Sequence, residues 1–245
     1  VSTRVHAVVT TRSGGVSIAP YHSLNMATHV GDDAFSVLRN RQIVHEQLVL
    51  PSEPVWLSQV HGCDIYDVDQ TNDFSSIPVA DASITHCHNI VLCVMTADCL
   101  PIFITDRCGT LVMAIHAGWR GLADGIIAAA VRRTEVSPAD LLAWIGPGIG
   151  RQDFEVGDDV YQIFLSRNTA FPEHFTSLGQ DNQGVDKYLA DAVQIAKTQL
   201  SQLGVGWIGG GDWCTYQDAE QFFSYRREGR TGRMASLIWL SDTID

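Results

Sequence analysis

Apolar residues in this chain gather into short runs set off by polar and glycine-rich turns, and a few stretches repeat every three to four positions. The short runs predict strands at His6 to Thr11, Val55 to Val60, Asp64 to Val68 and Ala80 to Thr85. Ser13-Gly14-Gly15 reads as the turn that ends the first. Two further runs flank Ala97-Asp98-Cys99, and a third leads into Ile115-His116-Ala117-Gly118, with Cys108-Gly109 as the intervening turn. Leu141 to Ile145, Gln221 to Tyr225 and Met234 to Leu240 complete the predicted strands.

The helical pattern starts at Asp32, placed to cap a helix that runs to Leu50 and stops at Pro51. Ala34, Val37, Val44 and Leu48 share its apolar face, and Arg41 lies in the same row. A charge on a buried stripe needs a partner, so Arg41 either reaches into a site or closes an internal ion pair. Leu122 to Arg133 and Asp158 to Leu165 read as further helices. Asp186 is placed to cap another, with Leu189, Ala192, Val193, Ala196, Leu200 and Leu203 on one face. Gly146-Pro147-Gly148-Ile149-Gly150 reads as a turn, lacking both the Lys-Ser/Thr of a P-loop and GxGxxG spacing. Strands in hairpin-like groups, rather than βαβ alternation, predict an α+β fold: a single layered domain over 1–245, mixed sheets flanked by helices.

Composition narrows the function classes. A 45% hydrophobic, 18% charged chain can build a core and is not of disordered type. Its net charge of −12 argues against nucleic acid or an anionic membrane as partner. There is no apolar run of transmembrane length, no signal-peptide pattern and no repeat. The sequence starts at Val1 rather than Met, so a short N-terminal piece is expected to precede it. Six cysteines without a CxxC pair do not form a secreted disulfide framework, which predicts a reducing cytoplasm. Cys93, inside an apolar run, reads as a small hydrophobe. Arg226, Arg227, Arg230 and Arg233 fall within eight positions. They either recognise an anion such as phosphate or pair with surface carboxylates.

Candidate chemistry centres on Cys99 and His116, both at strand ends. A thiolate and an imidazole there can hold a metal or act as a nucleophile–base pair. His61, in Gln59-Val60-His61-Gly62, is the third ligand candidate. Two imidazoles and one thiolate leave a tetrahedral Zn²⁺ one position for water, the catalytic rather than the structural pattern. His86-Cys87-His88 also looks metal-like, but alternate residues of a strand face opposite sides, and the segment reads as a decoy.

Several long motifs, in order over essentially the whole chain, carry a resemblance. They are Thr10 to Ser17 (TTRSGGVS), Ser23-Leu24-Asn25, His29-Val30-Gly31-Asp32-Asp33 and Asn40-Arg41. Further along come Gln59-Val60-His61-Gly62, Ala80-Asp81-Ala82, Thr96 to Pro101 (TADCLP) and His116 to Gly121 (HAGWRG). The last are Phe222 to Arg227 (FFSYRR) and Thr231-Gly232-Arg233. The chain thereby resembles the YfiH/YlmD family, also called the laccase-domain or multicopper polyphenol oxidase-like family and now viewed as purine nucleoside phosphorylases. Met26 stands where a Leu is usual, a mild departure that touches no candidate ligand.

The resemblance implies a zinc ion held by His61, Cys99 and His116, which are then also the catalytic residues. It implies a three-layer α+β fold shared with a bacterial toxin deamidase that uses a Cys–His pair. The implied activities are phosphorolysis of adenosine, inosine, guanosine and methylthioadenosine, and hydrolytic deamination of adenosine through water attack at purine C6. Substrates are then purine nucleosides, phosphate and water, handled by a monomer. Arg41, Arg226 or Arg227 are the candidates to place phosphate, and Asn25 and Gln59 to hydrogen-bond the substrate. Three rivals stay open. The first is a metal-free Cys99–His116 amide hydrolase, in keeping with a link of some bacterial members to peptidoglycan precursor editing. The second is a non-catalytic zinc module, for which Cys214 is the spare fourth-ligand candidate. The third is a copper polyphenol oxidase, which 9 histidines with a single HxH pair serve poorly.

Overall fold

A computed structural model describes residues 2–70, 76–167 and 171–242. Strand β1 (Val5–Val9) leads through a long loop into helix α1 (Ala34–Leu48). Then come β2 (Ile65–Asp67), β3 (Ala82–Thr85), β4 (Leu92–Thr96), β5 (Leu100–Asp106) and β6 (Val112–Ala117). Helices α2 (Trp119–Asp124) and α3 (Ile126–Arg133) follow, then β7 (Leu141–Ile145), β8 (Glu155–Gly157) and α4 (Asp158–Arg167). The chain continues through β9 (Phe175–Gln180), β10 (Asp186–Ala190), α5 (Ala192–Gln202), β11 (Trp207–Gly210), α6 (Tyr225–Glu228) and β12 (Met234–Leu240).

Three sheets result. The central one is mixed and six-stranded, in the order β11-β7-β5-β6-β3-β2, with parallel pairs only at its two edges. β1-β12-β4 form a three-stranded antiparallel sheet, and β8-β10-β9 a second one. This is an α+β fold. Alternation along the strands decides how the sheets stack. Phe103 on β5 and Val112 and Ala114 on β6 share one cluster with Leu92 and Val94 of β4 and Ile238 and Leu240 of β12. Their neighbours Ile102, Ile104, Met113 and Ile115 point the other way, into a core with α2 to α5. The outer face of β4–β12 (Cys93, Met95, Ala235, Leu237, Trp239) is covered by Val44 of α1 and by Leu24, Met26 and Ala27. The layers therefore run helix, sheet, sheet, helices: four rather than the three expected. Each fully buried Ile or Leu here stabilises the fold by ~1.5–3 kcal/mol relative to exposure. Among the described residues no helix is long and apolar enough to cross a membrane.

Several boundaries differ from the pattern reading. Asp33, not Asp32, caps α1 by accepting from the Ser36 N–H at 2.8 Å. Asp32 instead accepts from Ser17 Oγ and Asn25 Nδ2. Val55 to Val60 makes isolated bridges, Val55 to Leu92 and Ser58 to Val79, and no strand. The predicted helix after Leu122 begins at Trp119 and breaks at Gly125, which takes a φ of +95°. Asp186 opens strand β10, and Asp191 caps α5. The stretch read as a strand from Gln221 to Tyr225 is a loop up to Ser224, which caps α6, and Tyr225 opens that helix.

Candidate metal and active site

The three dispersed ligand candidates meet. His61, Cys99 and His116 offer donor atoms that all lie within 4.8 Å of one another, the one such group of three among the described residues. His116 comes from β6, paired with Pro101 of β5, and Cys99 sits in the bend directly before β5. His61 lies in the loop before β2 and takes a left-handed φ of +61°. For a residue other than glycine such a conformation needs external support. Asp81 gives it. Its carboxylate accepts from the consecutive N–H groups of Val60, His61 and Gly62 at 3.2, 2.9 and 2.6 Å. The same carboxylate accepts from His116 Nδ1 at 2.8 Å, and the Asp81 carbonyl accepts from the His116 N–H at 2.7 Å. One buried acid thus shapes the loop of one candidate ligand and fixes the ring of another, leaving His116 Nε2 for the cavity.

Electrostatics follow from this packing. Burial works against an Asp81 carboxylate, but bonds from His116, Gly62 and Val60 hold its pKa below the ordinary value. Burial also works against a Cys99 thiolate, yet the charge and hydrogen bonds of His116 and His61 bring the thiol down to about 6. Burial would lower His116, while Cys99 and Asp81 raise it to about 9. Without a bound metal, the two shifts favour a thiolate at Cys99 beside a protonated His116. Gly118 completes the cluster: a Cβ there would meet His61 Nδ1 at 2.6 Å and Cys99 Sγ at 3.1 Å. Asp98, at φ +100°, is held by Thr215 Oγ1 and the Arg226 N–H, both donating at 2.7 Å. The Gly146–Gly150 turn packs behind it, where a Cβ on Gly148 would stand 2.3 Å from Leu100.

The cluster opens on a cavity of about 600 Å³, whose wall includes Gln59, Trp119, Phe154, Tyr225 and Arg226. Gln59 is engaged by Met95, donating to its carbonyl and accepting from its N–H, each at 2.8 Å. Arg226 lies over Phe154 and donates to the Asp153 and Glu155 carbonyls. Three other candidates lie off the cavity wall. Asn25 is buried and spends its amide on Ala27, Asp32 and the Arg233 N–H. Arg41 takes neither course expected of it: it donates to the Met26 carbonyl and stacks 3.6 Å over Trp56. Arg227 donates to the carbonyls of Thr215, Tyr216 and Phe222 and to Glu228. Cys214 interacts with Asp153 and the Gly150 N–H, away from the cluster. Arg233, from the arginine cluster noted in the sequence, lines the cavity, as do His29 and Arg120, to which the sequence reading gave no site role.

Residues 6–241 match the family model described as multi-copper polyphenol oxidoreductase laccase. The chain belongs to this family. Within this laccase-like family it is 46% identical over 236 residues to the purine nucleoside phosphorylase YfiH of Escherichia coli, spanning 96% of this chain and 94% of that protein. It is 43% identical to a purine nucleoside phosphorylase of Haemophilus influenzae, with 96% and 94% covered. The crystal structure of Neisseria meningitidis protein NMB0706 matches with a TM-score of 0.90 at 43% identity, over 97% of this chain and 95% of that one. That of YlmD from Geobacillus stearothermophilus gives 0.86 at 34%, over 98% and 93%.

Proposed function

We propose that the chain is a zinc-dependent purine nucleoside phosphorylase for adenosine, inosine, guanosine and methylthioadenosine, with adenosine deaminase activity at the same site. The observation that carries the reading is the His61–Cys99–His116 cluster at the wall of a nucleoside-sized cavity. Relatives named as purine nucleoside phosphorylases, 46% identical over nearly the full length, support it. The donor set suits zinc: two imidazoles, one thiolate, an outer carboxylate on His116, and space at Gly118 that a side chain would fill. When bound, zinc supplies Lewis-acid polarisation of the atom it contacts.

The chain's own residues orient the reactants. Trp119, Phe154 and Tyr225 offer faces for a purine, and Asp81 keeps His61 and His116 in place. In phosphorolysis a phosphate oxygen bonds to C1′ as the C1′–N9 bond breaks. The purine leaves with the electron pair and takes a proton, giving free base and ribose 1-phosphate. In deamination water adds at C6 and ammonia leaves. The protein is read as one catalytic unit, a monomer in a reducing cytoplasm, with all six cysteines as thiols. Chromatography of inosine and adenosine incubated with and without phosphate tests the reading. Phosphate-dependent free base, and inosine from adenosine without phosphate, are expected; no conversion under any condition overturns it.

A second reading draws on the thiolate–imidazolium pair itself. Cys99 at about 6 beside His116 at about 9 is a nucleophile–acid pair able to attack an amide without metal. Amide hydrolysis that survives zinc chelation and is lost on alkylation of Cys99 would establish it over the phosphorylase.

A further inference from the structure

The cavity wall is cationic in an acidic protein. Beside the metal cluster it carries Arg120, Arg226, Arg233 and His29, against one carboxylate, Asp98, whose oxygens already accept from Thr215 and the Arg226 N–H. Neither the three guanidiniums nor His29 lies within ion-pair distance of a carboxylate among the described residues. Elsewhere Arg12, Arg133 and Arg167 sit on Glu228, Asp67 and Asp124. Arg233 is partly buried, lies over the Tyr225 ring and hydrogen-bonds only through Nη1, donating to the Thr231 and Gly232 carbonyls at 3.0 Å. Burial first, then the charges of Arg233 and Arg41, hold the pKa of His29 below its ordinary value.

Register brings a neutral donor to the same place. Met234 pairs with Thr96 across β12 and β4, so Arg233 and Ala97 adjoin at the ends of those strands. Thr96 lines the cavity, is 1% exposed, and its Oγ1 has no hydrogen-bond partner among the described residues. A buried hydroxyl without a partner costs about 1–3 kcal/mol unless a ligand engages it.

We propose that Arg233, with the Thr96 hydroxyl and His29, forms the subsite for inorganic phosphate, and that Arg227, off the cavity wall and tied to three carbonyls and Glu228, does not. This rests on the phosphorylase reading and assigns its second substrate. A purine nucleoside is neutral, so the cations answer to the phosphate dianion, and a guanidinium fork with a hydroxyl suits three equivalent oxygens.

Calorimetric binding of inorganic phosphate to the zinc-loaded protein, together with inosine kinetics, tests the subsite. Arg233→Met should weaken phosphate binding and raise the phosphate KM about 10- to 100-fold. The KM for inosine should stay within about 2-fold, and Arg233→Lys should recover part of the loss. Arg39→Met, on the exposed side of α1, should change neither. Should Arg233→Met fail to fold, Thr96→Val removes only the hydroxyl and should still weaken phosphate several-fold. An unchanged phosphate affinity in either folded variant overturns the subsite, whatever the enzyme does with nucleosides. Phosphate binding that depends on Arg233 without phosphate-dependent cleavage retains the subsite and defeats the phosphorylase reading. Inosine 5′-monophosphate binding more tightly than free phosphate, through Arg233, overturns the assignment to free phosphate in favour of a phosphate ester.

Discussion

Two groups in this chain each hold two histidines and a cysteine, and they behave oppositely. His86, Cys87 and His88 are contiguous, yet the histidines turn to different carboxylates, His86 Nδ1 to Asp69 at 3.2 Å and His88 Nδ1 to Asp242 at 2.6 Å. His61, Cys99 and His116 are scattered through the sequence, yet their donors converge within 4.8 Å. Nearness along a chain is poor evidence for a site. What gathers the second group is rigid structure: the β5–β6 ladder for Cys99 and His116, and the Asp81 carboxylate for His61. In the first group Asp69 engages His86 and Cys87 while His88 turns away to Asp242, and all three lie at the surface, where ion pairs contribute about 0–1 kcal/mol.

The largest effect that can break this comparison comes from the thiols. Cys99→Ala should reduce zinc content, by elemental analysis, from one ion per chain to background and abolish phosphorolysis, while Cys87→Ala retains both. Equal zinc loss in the two variants would erase the distinction. Next comes the organising acid. Asp81→Asn should cost zinc affinity about 10- to 100-fold in chelator competition, because it weakens four bonds to the ligand loop and ring; Asp69→Asn should cost none. Gly118→Ala should follow, lowering affinity by a smaller factor, since its Cβ would crowd His61 Nδ1.

The smallest effect is in acid stability. Burial opposes ionisation of both acids, but hydrogen bonds outweigh it, from Thr85 and His86 at Asp69 and from His116, Gly62 and Val60 at Asp81. Both folded-state pKa values lie below the unfolded 3.8. Each acid therefore stabilises the fold at pH above that value and loses its contribution as pH falls through the depressed folded one. Urea midpoints of the metal-free protein from pH 5 to pH 2 should fall less steeply in Asp69→Asn and in Asp81→Asn. Unaltered slopes in both would contradict the bonding seen at these carboxylates.

The sequence carried the three members of the cluster well because each lies in a long motif, and the strands around Cys99 because their apolar runs are uninterrupted. It carried the helix starts less well. Two consecutive aspartates precede α1, and only the backbone decides that Asp33 caps while Asp32 buttresses Asn25 and Ser17. Leu189 keeps the spacing of the apolar face of α5, which hides the strand Asp186–Ala190 within a helical pattern. The arginines were least legible. Arg227 and Arg233 have the same side chain in the same cluster, yet one is tied to three backbone carbonyls and Glu228 and the other lines the cavity. That difference is tertiary, and no local spacing encodes it.

The most direct test of the central claim is a titration of zinc into chelated, metal-free protein while phosphate-dependent cleavage of inosine is followed. The account predicts negligible cleavage without metal and a rate that rises in proportion to zinc bound, levelling at one ion per chain. Full phosphorolysis by the metal-free protein, with zinc making no difference, would contradict it.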